Sequence, residues 1–415
     1  MTEAAVLDWR CKGLPPRAEG LTGAELGALE LSLTGGDMMM PAAILREEAL
    51  HHNIAAMQAF ADGMGARLCP HGKTSMSPEL FAMQLDAGAW GMAAATAHHV
   101  RVYRRLGVRR VFLANQLIAP ADIAWILDEL ARNADFDFYA LVDTRESVAI
   151  LADAARSARV PRPVQVLVET GFAGGRGGAR DLTAAMDVAR AVAAASPWLA
   201  PRGVETFEGI RQAQAGARAE ASAMIGLAVA VAGEMAREGL IADGPLLLSA
   251  GGSAFLDLCA AGLPATLGGR AVEMVIRPGC YVTHDHGLYE ALLRPGLEGV
   301  PELQPALEVW AVVQSCPEPG LAILGLGRRD VSHDSGLPRP IRVHRPGAGE
   351  QSAAGLETLA LWDQHASLAC PAGALQVGDI VGFGISHPCG TFDKWRALFL
   401  ADRKDRIIGA ATTIF

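Results

Sequence analysis

The stretch Pro70-His71-Gly72-Lys73-Thr74-Ser75 decides how the fold of this chain is interpreted. It places a lysine among small and hydroxylated residues, directly after a predicted strand at residues 66–69. A lysine on a protein surface is usually a solvated charge. A lysine at the end of a buried strand is a candidate nucleophile, because desolvation lowers its pKa and frees its lone pair. The stretch alone leaves both interpretations open.

Predicted strands and helices alternate about eight times around this stretch, between residues 41 and 290. Predicted strands such as 138–142 and 164–168 are apolar throughout, as expected for parallel strands that are covered on both faces. About eight strand–helix units over roughly 250 residues are typical of a parallel α/β fold, the (β/α)8 TIM-like barrel. An open, doubly wound sheet would show a similar alternation, so the pattern favours the barrel without excluding the sheet.

After Tyr289 the pattern changes to short predicted strands, such as 307–313, that are separated by Gly, Pro and Asp turns. The chain has 415 residues, more than one hydrophobic core usually supports. We therefore predict two domains. The barrel takes residues 41–290, and a second, mostly β domain takes residues 1–40 and 291–415.

The net charge and the cysteine content indicate which partners and which cellular compartment fit this chain. The net charge of −9 argues against a nucleic-acid or anionic-membrane partner. Seven cysteines without a CxxC pair fit a reducing cytoplasm better than a disulfide framework. Met1 to Ala4 predict no signal peptide, and no apolar run reaches the length of a membrane span. We expect a cytoplasmic enzyme with a small-molecule substrate.

Two glycine-rich segments follow predicted barrel strands, where a barrel carries its chemistry. Residues 249–253, Ser-Ala-Gly-Gly-Ser, precede a short predicted helix, and their backbone N–H groups could bind a phosphate. A turn that merely needs glycine is the alternative. Arg176 lies in the other segment, where it could face a ring nitrogen or a carboxylate, or could be solvated. Together with Lys73, these segments suggest a pyridoxal-phosphate site.

A third signal lies in the predicted β domain, where His387 and Cys389 follow a predicted strand at residues 379–383. Residues two apart on an extended chain point to the same side and can share one metal ion. Imidazole together with thiolate suits zinc. A buried free cysteine near a histidine is the common alternative.

These segments resemble those of a known family. Residues 70–74 are similar to the PHxKT motif of the fold-type III pyridoxal-phosphate enzymes of the D-threonine aldolase and D-serine dehydratase group, whose barrel resembles that of alanine racemase. Residues 53–57, the glycine-rich loop at 251–253 and residues 277–281 also match the family pattern. The resemblance covers nearly the whole chain, from about residue 41 to residue 389.

The resemblance implies a role for each candidate residue. Lys73 would bind pyridoxal phosphate covalently and, with His71 as the other candidate, would act as the catalytic base. A divalent metal, most simply zinc, would be bound by His387 and Cys389. The predicted cofactor-binding residues are Lys73, Arg176, Ser249, Gly251, Gly252, Ser253 and Tyr281.

Dehydratases of the group carry a His-x-Cys pair, whereas the aldolases tend to carry His-x-Asp. The resemblance therefore implies a metal-assisted dehydratase of D-3-hydroxy amino acids such as D-serine, which releases a keto acid and ammonia. A D-threonine aldolase, an amino-acid racemase and a non-catalytic pyridoxal-phosphate carrier are the alternatives. Because this fold usually completes its site with a partner subunit, we expect a homodimer. Gly72 departs from the family, in which alanine is frequent at that position, and the exact substrate stays open.

Overall fold

The computed structural model describes residues 5–211, 216–293 and 299–415. Residues 1–4, on which the expected absence of a signal peptide rests, lie outside these ranges. The described chain forms a sheet of nine strands, eight of them parallel, and a mostly antiparallel sheet of ten strands.

The first part of the chain alternates strands and helices, as predicted. In chain order its elements are β1 (Ala42–Arg46), α1 (Glu47–Gly63), β2 (Arg67–Leu68), α2 (Pro78–Asp86), β3 (Met92–Ala94), α3 (Ala97–Arg105), β4 (Arg110–Gln116), α4 (Pro120–Arg132), β5 (Asp137–Val142), α5 (Arg145–Ala158), β6 (Val164–Thr170), α6 (Leu182–Ala194), β7 (Leu199–Thr206), α7 (Ala217–Arg237), β8 (Leu246–Ala250), α8 (Leu256–Gly262), β9 (Thr266–Leu267), β10 (Arg270–Ile276) and α9 (Leu288–Leu292).

The second part is mostly β, again as predicted. Its elements are β11 (Leu307–Glu318), β12 (Leu321–Leu324), β13 (Arg339–Arg345), β14 (Gly349–Gln351), β15 (Glu357–Leu361), β16 (Ala366–Ala369), β17 (Ile380–Gly384), α10 (Cys389–Phe392), β18 (Ala397–Ala401) and β19 (Ile407–Thr412).

Eight parallel strands form a closed barrel. They are ordered β2-β10-β8-β7-β6-β5-β4-β3, and β9 adds an antiparallel hairpin to β10. A parallel bridge between His71 and Ala93 joins the two ends of this series, and the N–H of Ala93 donates to the carbonyl of Pro70 at 2.8 Å. The predicted barrel is therefore confirmed over the open sheet, and the ring closes at the lysine stretch.

Helix α5 shows why the barrel helices form where they do. The Thr144 side chain accepts a hydrogen bond from the N–H of Ser147 at 3.1 Å, which satisfies a free N–H at the start of the helix. Val148, Leu151 and Ala155 are buried at the spacing of one helix face. A capped start and one apolar face are sufficient to place this helix against the barrel.

Helix α7 corrects one sequence expectation. Among the described residues, it is the one helix long and apolar enough to cross a membrane, with a mean hydropathy of 1.4 in its most apolar stretch, 39% of which is buried. The expectation that no apolar run reaches this length was therefore wrong. The helix packs against β7, β8 and α6, with Ala221, Ala228 and Val231 fully buried. A core helix passes the same length and hydropathy test, so this feature is weak evidence for a membrane.

Strand β1 lies in the second sheet, although its sequence predicted the first strand of the barrel. It pairs with β11 on one side and with β18 on the other. Ala43 and Leu45 pack into one apolar cluster, whereas Ala42 and Ile44 pack into another on the opposite face. Burial on both faces gives the same apolar run that a barrel strand would show. The other domain boundaries stay a prediction.

The residues before β1 cover the outer face of the second sheet. Leu7, Leu26 and Leu33 pack in one apolar cluster with Trp310 and Phe399. The second sheet is ordered β14-β13-β17-β11-β1-β18-β19, and β12, β15 and β16 extend it from β11. Strand β17 ends just before the segment that carries His387. Through this segment the second sheet contacts the barrel mouth.

Candidate active site

Lys73 lies in a 3-10 turn, Gly72–Thr74, at the C-terminal mouth of the barrel. The turn borders a cavity of about 170 Å³, whose lining side chains come from the ends of several barrel strands. Lys73 is exposed to solvent in this chain. The single chain therefore does not desolvate the Lys73 amine in the way that we expected for a lysine at a buried strand end. The charged and titratable lining residues are His71, Lys73, Glu169, Arg176, Glu205 and Arg277.

Gly72 is glycine because its neighbours leave no room for a side chain. A Cβ atom at this position would lie 2.5 Å from the hydroxyl oxygen of Tyr103 and 2.8 Å from the ring of Phe81. Both rings are fully or almost fully buried and pack edge to face, 5.0 Å apart. This explains the departure from the family's alanine at the residue before Lys73.

We expect Gly72→Ala to lower the free energy of unfolding by about 1–3 kcal/mol, because it overpacks this site. Gly63→Ala is the matched control, since its position in α1 is exposed with no atom within 4 Å of the added Cβ. That change should raise stability by about 0.5–1 kcal/mol through helix propensity. Urea unfolding measures both. Equal stability of Gly72→Ala and the wild type would contradict the packing described here.

The predicted phosphate loop already binds an anionic group. The N–H groups of Gly251 and Gly252 donate to the buried carboxylate of Glu208 at 2.9 and 2.6 Å. Gly252 has a φ of +66°, and a Cβ at Gly251 would collide with the ring of Phe207. The loop therefore fits an anion, and a phosphate could take this place once the Glu208 carboxylate has left it.

The two serines of this loop are not at the cavity. Ser249 is fully buried, where its hydroxyl donates to the carbonyl of Val275 at 3.0 Å and accepts from Arg277. Ser253 is likewise absent from the described lining of the cavity. Among the residues predicted from this segment, the structure places Gly251 in the lining and Gly252 directly behind it, through its bond to Glu208.

Two glutamates that the sequence interpretation missed lie inside the barrel mouth. Glu205 forms a buried ion pair with Arg277, and burial raises the pKa of the Glu205 carboxyl to about 8. Burial also raises the pKa of Glu169, which accepts a hydrogen bond from Gln116. Strands β6 and β7 both end in Val-Glu-Thr, and this repeat at neighbouring strand ends was the signal that could have found them.

The structure brings His71 and Arg176 to the cavity with Lys73. The Arg176 guanidinium lies 4.9 Å from the centre of the Phe207 ring. His71 has a buried Nδ1 atom without a hydrogen-bond partner in the described part of the chain. Burial, together with the charges of Lys73 and Arg277, lowers the pKa of His71 well below its usual value. This shift favours the neutral form of the His71 imidazole.

Tyr281 is not among the described residues that line the cavity, and its predicted contact with the cofactor stays a prediction. It is fully buried, and its hydroxyl accepts a hydrogen bond from Gln84 at 2.9 Å. The 3-10 turn Cys280–Val282 directs the preceding residue, Cys280, to the lysine turn instead. The Cys280 thiol lies 3.9 Å from the hydroxyl of Thr74.

Cys280, His387 and Cys389 form a cluster whose candidate ligand atoms all lie within 4.8 Å of one another. The two sulfur atoms are 3.5 Å apart, and the sulfur of Cys389 is 3.4 Å from the Thr74 hydroxyl. His387 and Cys389, the predicted metal pair, therefore lie together at the mouth of the barrel of the same chain. Our reason for pairing them was wrong, because Pro388 is helical (φ −61°, ψ −46°) and the chain is not extended there.

The three groups of the cluster shift one another's pKa values. A hydrogen bond with Cys389, together with burial, raises the pKa of the Cys280 thiol well above its usual value. The Cys389 thiol and the Asp334 carboxylate raise the pKa of His387 to about 9. Hydrogen bonds from Cys280 and His387 lower the pKa of Cys389 well below its usual value. This shift favours the thiolate form of Cys389, which is the form that binds metals. Asp334 and Cys280 are the two residues of this site that the sequence interpretation missed.

A closed parallel barrel with a lysine and an anion-binding glycine loop at one mouth is the arrangement expected of a pyridoxal-phosphate barrel enzyme. Residues 45–279 match the family "Alanine racemase, N-terminal domain", and residues 306–401 match "Putative serine dehydratase domain". The barrel match covers more than half of the 415 residues, so this chain belongs to the alanine racemase-type barrel family.

Characterised relatives are lyases. The D-threonine aldolase of Arthrobacter sp. is 26% identical over 357 residues, which cover 85% of this chain and 86% of that protein. The D-threo-3-hydroxyaspartate dehydratase of Delftia sp. (strain HT23) is 29% identical over 130 residues, 31% of this chain and 33% of that protein. An aldolase and a dehydratase thus both resemble this chain.

Solved structures show the same fold. The D-threonine aldolase from Filomicrobium marinum has a TM-score of 0.77 at 22% identity and covers 92% of this chain and 97% of its own. A Cys-to-Ala variant of D-threo-3-hydroxyaspartate dehydratase, in its metal-free form, has a TM-score of 0.71 at 22% identity, with 93% and 99% covered. Both the barrel and the β domain are therefore common to this group.

Proposed function

We propose that this protein is a metal-assisted, pyridoxal-phosphate-dependent dehydratase of D-3-hydroxy amino acids, which releases a keto acid and ammonia. From D-serine the keto acid is pyruvate. The observation that carries the proposal is the cluster of His387 and Cys389 with Cys280, which contacts the residue next to Lys73. A metal ion bound there would lie close to the candidate imine-forming lysine, which supports metal-assisted elimination.

The residues at the cavity fit pyridoxal phosphate. Lys73 supplies the amine, and the N–H groups of Gly251 and Gly252 supply an anion site that already accepts a carboxylate. Arg176 lies in the lining with its guanidinium next to the Phe207 ring, where it can face an acceptor on the cofactor ring. When bound, the cofactor supplies an electron sink for the negative charge that develops at the α-carbon.

Side chains of this protein then carry out the proton transfer from the α-carbon. The Lys73 amine or His71, the two candidate bases at the cavity, would take the α-proton, and the lowered pKa of His71 makes Lys73 the stronger of the two. Arg277 is held by Glu205 and Ser249, which fixes a buried positive charge at the cavity wall. A metal ion at His387 and Cys389 would supply Lewis acidity for the loss of the β-hydroxyl group.

A D-threonine aldolase is the second candidate function. It is supported by the similarity to the Arthrobacter aldolase across most of both chains. Against it stands Cys389, because the resemblance associates a thiolate at this position with the dehydratases. The match to the serine dehydratase domain, which contains both His387 and Cys389, also supports elimination.

We expect the purified protein to release a keto acid and ammonia from D-serine, D-threonine or D-3-hydroxyaspartate, and not from the L-isomers. Chelation of the metal with EDTA should remove this activity, and added zinc should restore it, because the β-hydroxyl is a poor leaving group without a Lewis acid. Coupled dehydrogenase assays measure the keto acid. EDTA-resistant loss of optical rotation without keto acid would point to a racemase instead.

We further propose that the protein is a cytoplasmic homodimer. Because the metal cluster reaches its own barrel, a partner is not needed to supply these ligands. The support for a dimer is the resemblance together with the exposure of Lys73, since a partner subunit over the barrel mouth would exclude water from it. Light scattering during gel filtration tests the dimer, and a monomer at working concentration would contradict it.

A further inference from the structure

We infer that Cys280 is a third protein ligand of the metal, so that two thiolates and one imidazole bind a single zinc ion. The inference rests on the proposed function, because it completes the pair that we assign to metal-assisted elimination. The sequence assigns Cys280 no role, since it lies more than a hundred residues before His387 and Cys389.

The spacing of the two sulfur atoms fits one shared ion. Zinc–sulfur bonds are about 2.3 Å long, so two thiolates on a tetrahedral zinc lie about 3.8 Å apart. The sulfur atoms of Cys280 and Cys389 are 3.5 Å apart, and the His387 ring completes a set within 4.8 Å. Cys280 is therefore already at the distance that a common metal requires.

The backbone holds Cys280 in this place through a close approach to the lysine turn. A Cβ at Gly279 would lie 2.6 Å from the Thr74 hydroxyl, so that only glycine lets the segment pack here. The next residue, Cys280, is then presented to Thr74 and Cys389. The ligand set joins the end of barrel strand β10 to the β domain, so metal binding would link the two domains.

His387 is oriented for metal binding by two contacts. Its Nδ1 atom pairs with the Asp334 carboxylate at 2.7 Å, which leaves Nε2 as the free nitrogen for a metal. Its backbone carbonyl accepts a hydrogen bond from the Ser332 hydroxyl at 2.6 Å. Asp334 is thus a positioning residue, of the kind that usually supports a histidine ligand.

Three protein ligands change what the centre can do. Zinc sites with three protein ligands keep a fourth position for water or substrate, as catalytic zinc sites do. Two thiolates also select zinc over manganese or magnesium, which prefer oxygen ligands. The inference therefore names the metal of the proposed dehydratase and predicts that its substrate hydroxyl competes for one position.

X-ray absorption at the zinc edge tests this on the zinc-loaded holoenzyme, kept with a reductant so that the thiols stay free. We expect two sulfur neighbours at about 2.3 Å in the wild type and one in Cys280→Ser. Cys370→Ser, which replaces a cysteine of similar burial outside the cluster, should keep two. In chelator competition, Cys280→Ser should lose more zinc affinity than the roughly 10- to 100-fold typical of a lost outer-shell partner.

One sulfur neighbour in the wild type, or an unchanged count in Cys280→Ser, would overturn the inference. The wild-type count decides the matter even if Cys280→Ser does not fold. Keto acid release separates this inference from the proposed function. If the wild type shows one sulfur neighbour but still releases keto acid in a zinc-dependent way, Cys280 is not a ligand and the proposed dehydratase function stands. If it shows two sulfur neighbours but releases no keto acid, the ligand set stands and the dehydratase function is wrong.

Discussion

Replacing Lys73 by alanine is expected to abolish the imine absorbance of bound pyridoxal phosphate near the edge of the visible range. Lyase activity should fall by at least about 100-fold, because the same amine is a candidate base and a positioned base contributes about 100- to 10,000-fold. None of the other lysines, Lys12, Lys394 and Lys404, borders the cavity. No second amine is therefore placed to substitute. Absorbance spectra after cofactor addition measure the effect.

Lys404→Ala is the matched control, since Lys404 is exposed in a turn of the β domain. It should keep both the spectrum and the activity of the wild type. An unchanged spectrum in Lys73→Ala would remove Lys73 from its assigned role, whatever the activity of that variant.

Replacing Cys389 by alanine is expected to remove both the bound zinc and the lyase activity while the cofactor spectrum persists. Cys389 is a sulfur ligand of the proposed metal site, and its neighbours Cys280 and His387 both hydrogen-bond to it. Its loss removes the principal anionic ligand but touches neither Lys73 nor the glycine loop. Elemental analysis and the cofactor spectrum, measured on one preparation, separate the two effects.

Cys316→Ala serves as the control for this change, because Cys316 is an exposed free cysteine on β11. It should retain zinc and activity. Zinc retained at full stoichiometry in Cys389→Ala would mean that the metal binds elsewhere in the protein.

The fold could be predicted because its signal is local. Central barrel strands such as β5 are short apolar runs, and helix α5 has one buried face and a capped start. Strand β1 was assigned to the wrong sheet because burial on both faces leaves the same apolar run in either sheet. Nothing within residues 42–46 records which strands lie beside them.

The site residues that directly follow predicted strands could be predicted from the sequence. The site residues that are brought together by the packing of distant segments were missed. Lys73 and the glycine loop follow their strands directly. Cys280 joins His387 only because the β domain docks on the barrel mouth, and Asp334 joins it through packing within the β domain. No local sequence pattern records either contact. A single 3-10 turn, Cys280–Val282, directs the Cys280 side chain toward the lysine turn and buries Tyr281.

The most direct test of the account is the fate of D-threonine in the presence of the zinc-loaded holoenzyme. A dehydratase removes water and then ammonia, so chromatography should show 2-oxobutyrate and ammonia in equal amounts, with no glycine. Glycine and acetaldehyde without 2-oxobutyrate would contradict the central claim and assign the site to carbon–carbon bond cleavage.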